Sequence, residues 1–316
     1  MEYQVEKQRD GATVLEIIKG ELGLSRGHLK HLKFLEGGIL VNGKPVTVRY
    51  VLKEGDFLFV SAEDTESDET LVPVDLPLRV AYEDADVAVP DKPADMPTHP
   101  SHNHHTDTVA NALAYRYERL GIPFVFRPVN RLDRNTSGLL LIARNRLAAS
   151  SLFRAMKEGE IRKRYLAILQ GIPKETEGLL DTYMRRTTAS IIVRENCLEG
   201  EGGTRALTHY RVLCQGNGRS LVLASPLTGR THQLRVHFAG IGCPILGDDL
   251  YGDPSPLIPR HALHSCALSF PSPANGERIE IFSPLPQDME EVASALFGNL
   301  LPDSQTLLAL CRKELL

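Results

Sequence analysis

No window of the chain reaches the roughly 18 consecutive apolar residues that a membrane span needs. The opening stretch, residues 1–11, has no apolar run of signal-peptide type. A soluble, unsecreted, cytoplasmic protein with no membrane partner is expected. Cysteine is sparse: five residues, at 197, 214, 243, 266 and 311, none in a C-x-x-C pair. That argues against both a disulfide framework and a zinc module, and it fits a reducing compartment. There is no G-x-S-x-G nucleophile elbow. The glycine-rich stretch 199–203 lacks a Lys-Ser/Thr, and residues 228–233 lack the spacing of a phosphate-cradling loop. The histidines at 99, 102, 104 and 105 sit in a polar, turn-like segment without a carboxylate at ligand spacing. His232 and His237 are five apart, where a shared helix face requires four. No metal and no cofactor is expected.

What is present is ordinary globular composition over 316 residues, 42% hydrophobic and 24% charged, long enough for two domains. The formal net charge of −4 hides an uneven distribution. Residues 22–53 carry six Lys/Arg against one acid, and residues 127–165 carry ten against three. Between these stretches, "AEDTESDET" at 62–70 holds five carboxylates and no base. Local basic patches, rather than the total, are the electrostatic footprint of nucleic-acid binding.

The acidic stretch is low in apolar residues and reads as a linker, residues 62–72, between an N-terminal unit, 1–61, and a larger unit, 73–316. In the first unit, Ser25 offers a helix cap, and Leu29, Leu32 and Leu35 follow at helical spacing up to Gly37-Gly38. Arg26, Lys30 and Lys33 share one side of that helix. Asn42-Gly43 between two apolar runs predicts a hairpin, and Phe57–Ser61 a closing strand. In the second unit, a hairpin is predicted to turn at residues 83–86. Helices are predicted over 106–121, 146–161, 230–242, 288–297 and 304–315. Buried strands are predicted at 137–144, 163–171 and 220–229. Strands and helices do not alternate strictly, so the fold class expected is α+β.

One carboxylate stands out. Asp133, in "VNRLDRNTSG" (129–138), lies between Arg131 and Arg134 at the edge of the apolar run Leu139–Ala143. Neighbouring cations favour its charged form. A permanently ionised carboxylate is a poor general acid but a reasonable nucleophile or charge stabiliser.

Two resemblances give these features meaning. Residues 13–61 resemble the S-four-type RNA-binding domain, a small αL fold, through the Ser-Arg opening, the Val-Asn-Gly-Lys hairpin and the Gly-Asp before the last strand. This implies that Arg26, Lys30 and Lys33 face an RNA backbone. Residues 73–289 resemble RluA-type RNA pseudouridine synthases through "DKPADMPTHPS" (91–101), "NRLDRNTSGLLLIAR" (130–144), "KRYLAILQG" (163–171), "LTGRTHQLRVHFAGIGCPILGDDLYG" (227–252) and "RHALHSCALSFPSP" (260–273). The fold this implies has a central mixed, mostly antiparallel sheet flanked by helices.

The resemblance matches Asp133 to the catalytic aspartate, Tyr165 to the tyrosine packed against the target base, and Arg235 to the basic residue that pairs with the aspartate. Arg230 is a second candidate for that pairing. Arg131 matches the arginine that enters the space left by a flipped base. Asn130, His232 and Gln233 are expected beside the substrate. Two positions depart from the family pattern: Asn130 replaces the usual histidine, and Asp95 replaces a frequent glycine. The implied activity is an isomerase converting uridines of structured RNA to pseudouridine without a cofactor. Ribosomal RNA is the expected substrate, with transfer RNA open, and a monomer is expected. The competing reading is a catalytically inactive RNA-binding ribosome-assembly factor.

Overall fold

A computed structural model describes residues 2–22, 32, 35, 37–61 and 70–312. Of the helix expected over 25–35 only Leu32 and Leu35 are described; Arg26, Lys30 and Lys33, and most of the acidic linker, lie outside the described residues.

The N-terminal unit forms a four-stranded sheet in the order β1-β4-β2-β3, from β1 (Glu2–Gln4), β2 (Ile39–Val41), β3 (Lys44–Pro45) and β4 (Phe57–Val60). The expected hairpin joins β2 and β3. Asn42 and Gly43 both have positive φ, 50° and 76°, as a tight two-residue turn of this hand requires. Asn42 also accepts the Phe57 N–H and donates to Asp56, so the turn is tied to the Gly-Asp that precedes β4. Helix α1 (Val14–Gly20) opens on a capping box between Thr13 and Glu16. It buries Val14, Ile17 and Ile18 against Leu32, Leu52 and Leu58.

The larger unit is built on a twelve-stranded sheet. β5 (Arg79–Glu83) and β6 (Val87–Lys92) form the predicted hairpin. Helix α2 (Val109–Arg119) follows, capped by Thr108. The apolar run at 137–143 is not one strand: β8 (Ser137–Leu139) and β9 (Ile142–Ala143) are separate, and β9 also pairs with β7 (Arg127–Pro128). Helix α3 (Arg146–Lys157) leads into β10 (Arg162–Gln170), a central strand. The long antiparallel strands β11 (Glu177–Arg186), β12 (Arg194–Cys197) and β13 (Thr204–Gly216) extend the sheet to one side, and β14 (Arg219–Pro226) joins them to β10. Helix α4 (Gln233–Gly240), strands β15 (Leu263–Pro271) and β16 (Arg278–Phe282), and helices α5 (Gln287–Phe297) and α6 (Ser304–Arg312) complete it. Pairing is antiparallel except between β8 and β15.

Around β8 and β9 the sheet is buried on both faces, which explains why 139–143 is apolar without alternation. Leu139 and Leu141 enter one core with Leu152 of α3 and Phe270. Leu140 and Ile142 enter the other with Leu113, Tyr117, Phe238 and Met289. Gly138 makes the parallel pairing possible. Its φ is 108°, and a Cβ there would stand 2.3 Å from the Ser265 carbonyl oxygen.

Three histidines are buried in this framework. Burial pulls His237 and His264 down to about 4 and His261 to about 3, from the ordinary 6.5. A base whose folded pKa is depressed stabilises the fold fully above its unfolded pKa, and this is lost as pH falls toward the folded value. The denaturation midpoint should therefore drop steadily between about pH 6.5 and 4, measured by chemical denaturation across that range. A flat midpoint over that window would contradict neutral burial of these rings.

Candidate active site

Asp133 lies on a short connection between β7 and β8 whose backbone is held by side chains from distant segments. Thr98 donates to the Leu132 carbonyl at 2.9 Å and accepts the Leu132 N–H. The buried Lys92 ammonium donates to the carbonyls of Pro93, Met96 and Arg134, each at 2.8 Å. Arg260, paired with Asp288, donates to the Asn135 carbonyl at 3.0 Å. Thr136 and Ser137 reach the ring nitrogens of His261 and His264 at 2.8 and 3.0 Å. The first, second and fifth matched segments of the sequence thus meet at one loop. A carboxylate fixed this way is held on target without cost at the moment of reaction.

The loop lies along a groove of about 790 Å³ that is also lined by Arg131, Tyr165, Arg230, His232 and Arg235. The Asp133 side chain keeps 20% of its surface exposed into it. Arg235 Nη1 stands 3.6 Å from its Oδ2, and His232 Nε2 stands 3.8 Å away. The pairing expected from sequence is thus geometrically present, but it is the lesser of two.

The main partner of Arg235 is Asp248, which is fully buried and accepts two hydrogen bonds from it, both 2.7 Å. Burial would raise the Asp248 pKa, but the hydrogen bonds and charge of Arg235 outweigh it and hold the carboxyl below the usual range. Desolvation opposes the charge on Arg235, and Asp248 followed by Asp133 more than restores it. Asp248 was missed as a site residue. It stood in view in "GDDLYG", where only the spacing of its motif was read.

Tyr165 is 7% exposed. Burial pushes its phenol well above the ordinary value, with a hydrogen bond to Ser265 opposing and the Asp133 charge adding to the rise. It is a neutral π-surface at any physiological pH. Its position comes from β10, where Tyr165 pairs with Ala224 on one side and Ser265 on the other, at a bulge after Arg164.

Several sequence-based expectations change. Arg134 does not serve Asp133: its guanidinium donates to Asp95 at 2.7 Å. Asp95 has φ 60°, the left-handed conformation for which glycine is the usual choice and which aspartate tolerates better than most residues. Its charge is met by Arg134. Arg230 is not the partner of Asp133 either; it is exposed at the rim and donates to the Arg205 carbonyl. Gln233 spends its whole amide on protein, accepting from Thr228 and the Arg230 N–H and donating to Leu207 and Thr208. It shapes the turn before α4 rather than offering itself to a ligand. Asn130 accepts the Leu141 N–H at 2.8 Å, and its Nδ2 is buried. Its carbonyl oxygen secures the strand end, while its Nδ2 has no hydrogen-bond partner among the described residues. Arg131 is exposed on the groove and has no ion-pair partner among the described residues. Of the clustered histidines, His104 contacts Asp107 at 2.5 Å, a carboxylate the spacing argument overlooked. Among the described residues no group of three potential ligands converges.

Comparison with known proteins agrees with this geometry. The family model described as RNA pseudouridylate synthase matches residues 86–240. An uncharacterised RNA pseudouridine synthase of Bacillus subtilis (strain 168) is 40% identical over 273 residues, 86% of this chain and 95% of the relative. The chain belongs to the RNA pseudouridine synthase family. It is an isomerase acting on RNA, of the RluA type. A protein named ribosomal large subunit pseudouridine synthase D from Vibrio cholerae is 34% identical to this synthase over 288 residues, 86% of this chain and 87% of that one. The solved human RNA pseudouridylate synthase domain containing 1 superposes with TM-score 0.54 at 31% identity, covering 72% of this synthase and 97% of that chain.

Removing Asp248 should leave Arg235 buried without its bidentate partner. Asp248→Ala is expected to lower stability by about 3–5 kcal/mol in urea denaturation and to reduce activity as Arg235 leaves its place. Since the native Asp248 pKa is depressed, the contribution is complete above about pH 4 and is lost as pH falls through the native value. The gap between wild type and variant should be constant from about pH 5 to 8 and shrink only below 4. A gap that closes already near pH 6 would contradict the ion-pair account.

Proposed function

We propose that this synthase isomerises uridines in structured large-subunit ribosomal RNA, with Asp133 as the reacting carboxylate. One observation carries the reading: a single carboxylate, on a loop held from several sides, in a groove that a buried tyrosine and several arginines also line. The name of the Vibrio cholerae relative favours the large ribosomal subunit.

The chemistry asks for four things, and named residues can supply each. A uridine inside folded RNA must be extruded, which costs about a few kcal/mol. Arg131, exposed and unpaired with any acid among the described residues, can fill the vacated stack. Tyr165 offers the uracil a neutral π-face, worth about 1–3 kcal/mol per stacked base. Arg235, itself fixed by Asp248, stands 3.6 Å from Asp133 and directs the carboxylate at the ribose. The rim cations Arg162 and Arg230 favour phosphates. Nothing is oxidised or added in the rearrangement, so the reaction calls for no cofactor.

On this reading residues 1–61 are an S-four-type module that brings the RNA, 62–72 a linker, and 73–316 the catalytic domain of a cytoplasmic monomer. The separate small core supports the division. Leu147 of α3 joins that core and marks where the two units touch.

Asp133→Asn should abolish pseudouridine formation in ribosomal RNA while RNA affinity stays within about threefold, read by tritium release from C5-labelled transcripts and by filter binding. Tritium release by the variant at the wild-type rate would remove Asp133 from its role. Release from transfer RNA alone would replace the substrate. Deleting residues 1–70 should weaken RNA binding steeply, with a smaller salt dependence, and leave turnover on a saturating fragment. Unfolding of the truncated chain would contradict the division into domains.

A further inference from the structure

Besides Arg235, the basic side chain within 4 Å of the Asp133 carboxylate is His232, and its placement is unusual. It caps α4 with φ 59° and ψ 19°, left-handed for a residue with a side chain. Such positions cluster where surrounding structure holds a group for a task. The ring is largely enclosed, and its two nitrogens have different surroundings. Nδ1 lies 2.7 Å from the Tyr251 hydroxyl. Nε2 lines the groove, 3.8 Å from Asp133, beyond hydrogen-bond reach.

Tyr251 decides which nitrogen carries the hydrogen. Its oxygen accepts the Arg194 N–H at 2.9 Å. Its own hydrogen then has one acceptor among the described residues, His232 Nδ1. A nitrogen that accepts there leaves the neutral ring protonated at Nε2. Burial, the main influence, lowers the His232 pKa, which Asp133 opposes and Arg235 reinforces; the neutral ring is the resting form. The Arg235 guanidinium, 5.1 Å over the Tyr251 ring, braces the same phenol. The result is an N–H of fixed direction, without a partner among the described residues, opening on the space beside the reacting carboxylate.

We propose that His232 is a catalytic residue of this synthase, its Nε2–H donating a hydrogen bond to the uracil as the base departs, with Tyr251 as the positioning residue that sets the tautomer. When the N1–C1′ bond breaks, its electron pair leaves with N1 and spreads onto the uracil oxygens. A preorganised donor at such developing charge is worth about 10²–10³ in rate. No proton leaves His232. The base turns, C5 bonds to C1′, the C5 hydrogen is lost as a proton, and N1 carries a proton in the product. One C–N bond is exchanged for one C–C bond with no change of oxidation state. The proposal rests on the synthase reading above and adds to it the group that meets the negative charge.

The test compares transcripts containing uridine with the same transcripts containing 5-fluorouridine, whose base departs as a more stable anion and needs the donor less; with no C5 hydrogen to lose, the rejoined fluorinated base keeps its fluorine and takes up water at C6, so conversion is read on both transcripts as loss of the N1–C1′ bond. In single turnover, His232→Leu should slow conversion of the uridine transcript about 100-fold, at unchanged RNA affinity, and the fluorinated one about 10-fold or less. His232→Gln, which keeps an N–H at similar reach, should restore most of the rate. Tyr251→Phe, which frees the tautomer, should fall between. Equal slowing on both transcripts, or a His232→Gln enzyme as slow as His232→Leu, would reduce His232 to a structural cap and overturn the proposal. A wild-type enzyme inactive on every RNA would instead remove the synthase reading beneath it.

Discussion

The site depends on how one guanidinium is divided. Arg235 gives two of its N–H groups to the buried Asp248 and leaves a third edge facing Asp133. Had Arg235 no other partner, it would close onto Asp133 as a bidentate pair, neutralising the carboxylate and blocking the groove. Held by Asp248, it stays at 3.6 Å, near enough to orient the carboxylate and too far to consume it. The buried pair is weak evidence for stability, since desolvating two charges offsets much of their attraction. Its value here is directional.

The same logic runs through the loop that carries Asp133. Three of its carbonyls, at 132, 134 and 135, are met by Thr98, Lys92 and Arg260, from two separate parts of the chain. A surface loop would satisfy these groups with water and remain free to move. Here each is answered by a side chain that is itself fixed, Arg260 by Asp288 and Lys92 by burial in the sheet. Gly138 serves the same end from below. Without a side chain it lets β8 lie directly against β15, which brings His264 under Ser137.

Much of the fold was legible in the sequence because the signals were local. The Asn42-Gly43 turn, the β5–β6 hairpin, helices α2 to α6 and strands β10 and β14 follow from periodicity and turn chemistry. What escaped was of another kind. β11, β12 and β13 form a half-exposed arm with polar residues on both faces, so no apolar run announces them. α1 had a Thr-x-x-Glu capping box in plain view, but its seven residues are short for a helix reading. In the single strand expected at 137–144 both halves pair with β6, but the neighbour on the other side changes from β15 beside β8 to β7 beside β9, and the strand breaks between them.

The chemical identity of the site was available from the chain alone: an acid flanked by arginines, a tyrosine in a buried strand, and ordered motifs shared with a family. The family resemblance also named Arg235, about a hundred residues away, as the cation that answers Asp133, with Arg230 as a second candidate. What the chain did not show is that Arg134, its neighbour in sequence, turns to Asp95, and that Arg235 spends its stronger bonds on Asp248. Gln233 looked free for a ligand and is spent on threonine hydroxyls and the backbone, and the Asn130 carbonyl oxygen is taken by the Leu141 N–H. Residue type sets which bonds a side chain can make, and that is written locally. Which of those bonds are already taken depends on what the fold brings alongside, and only the packed structure decides it.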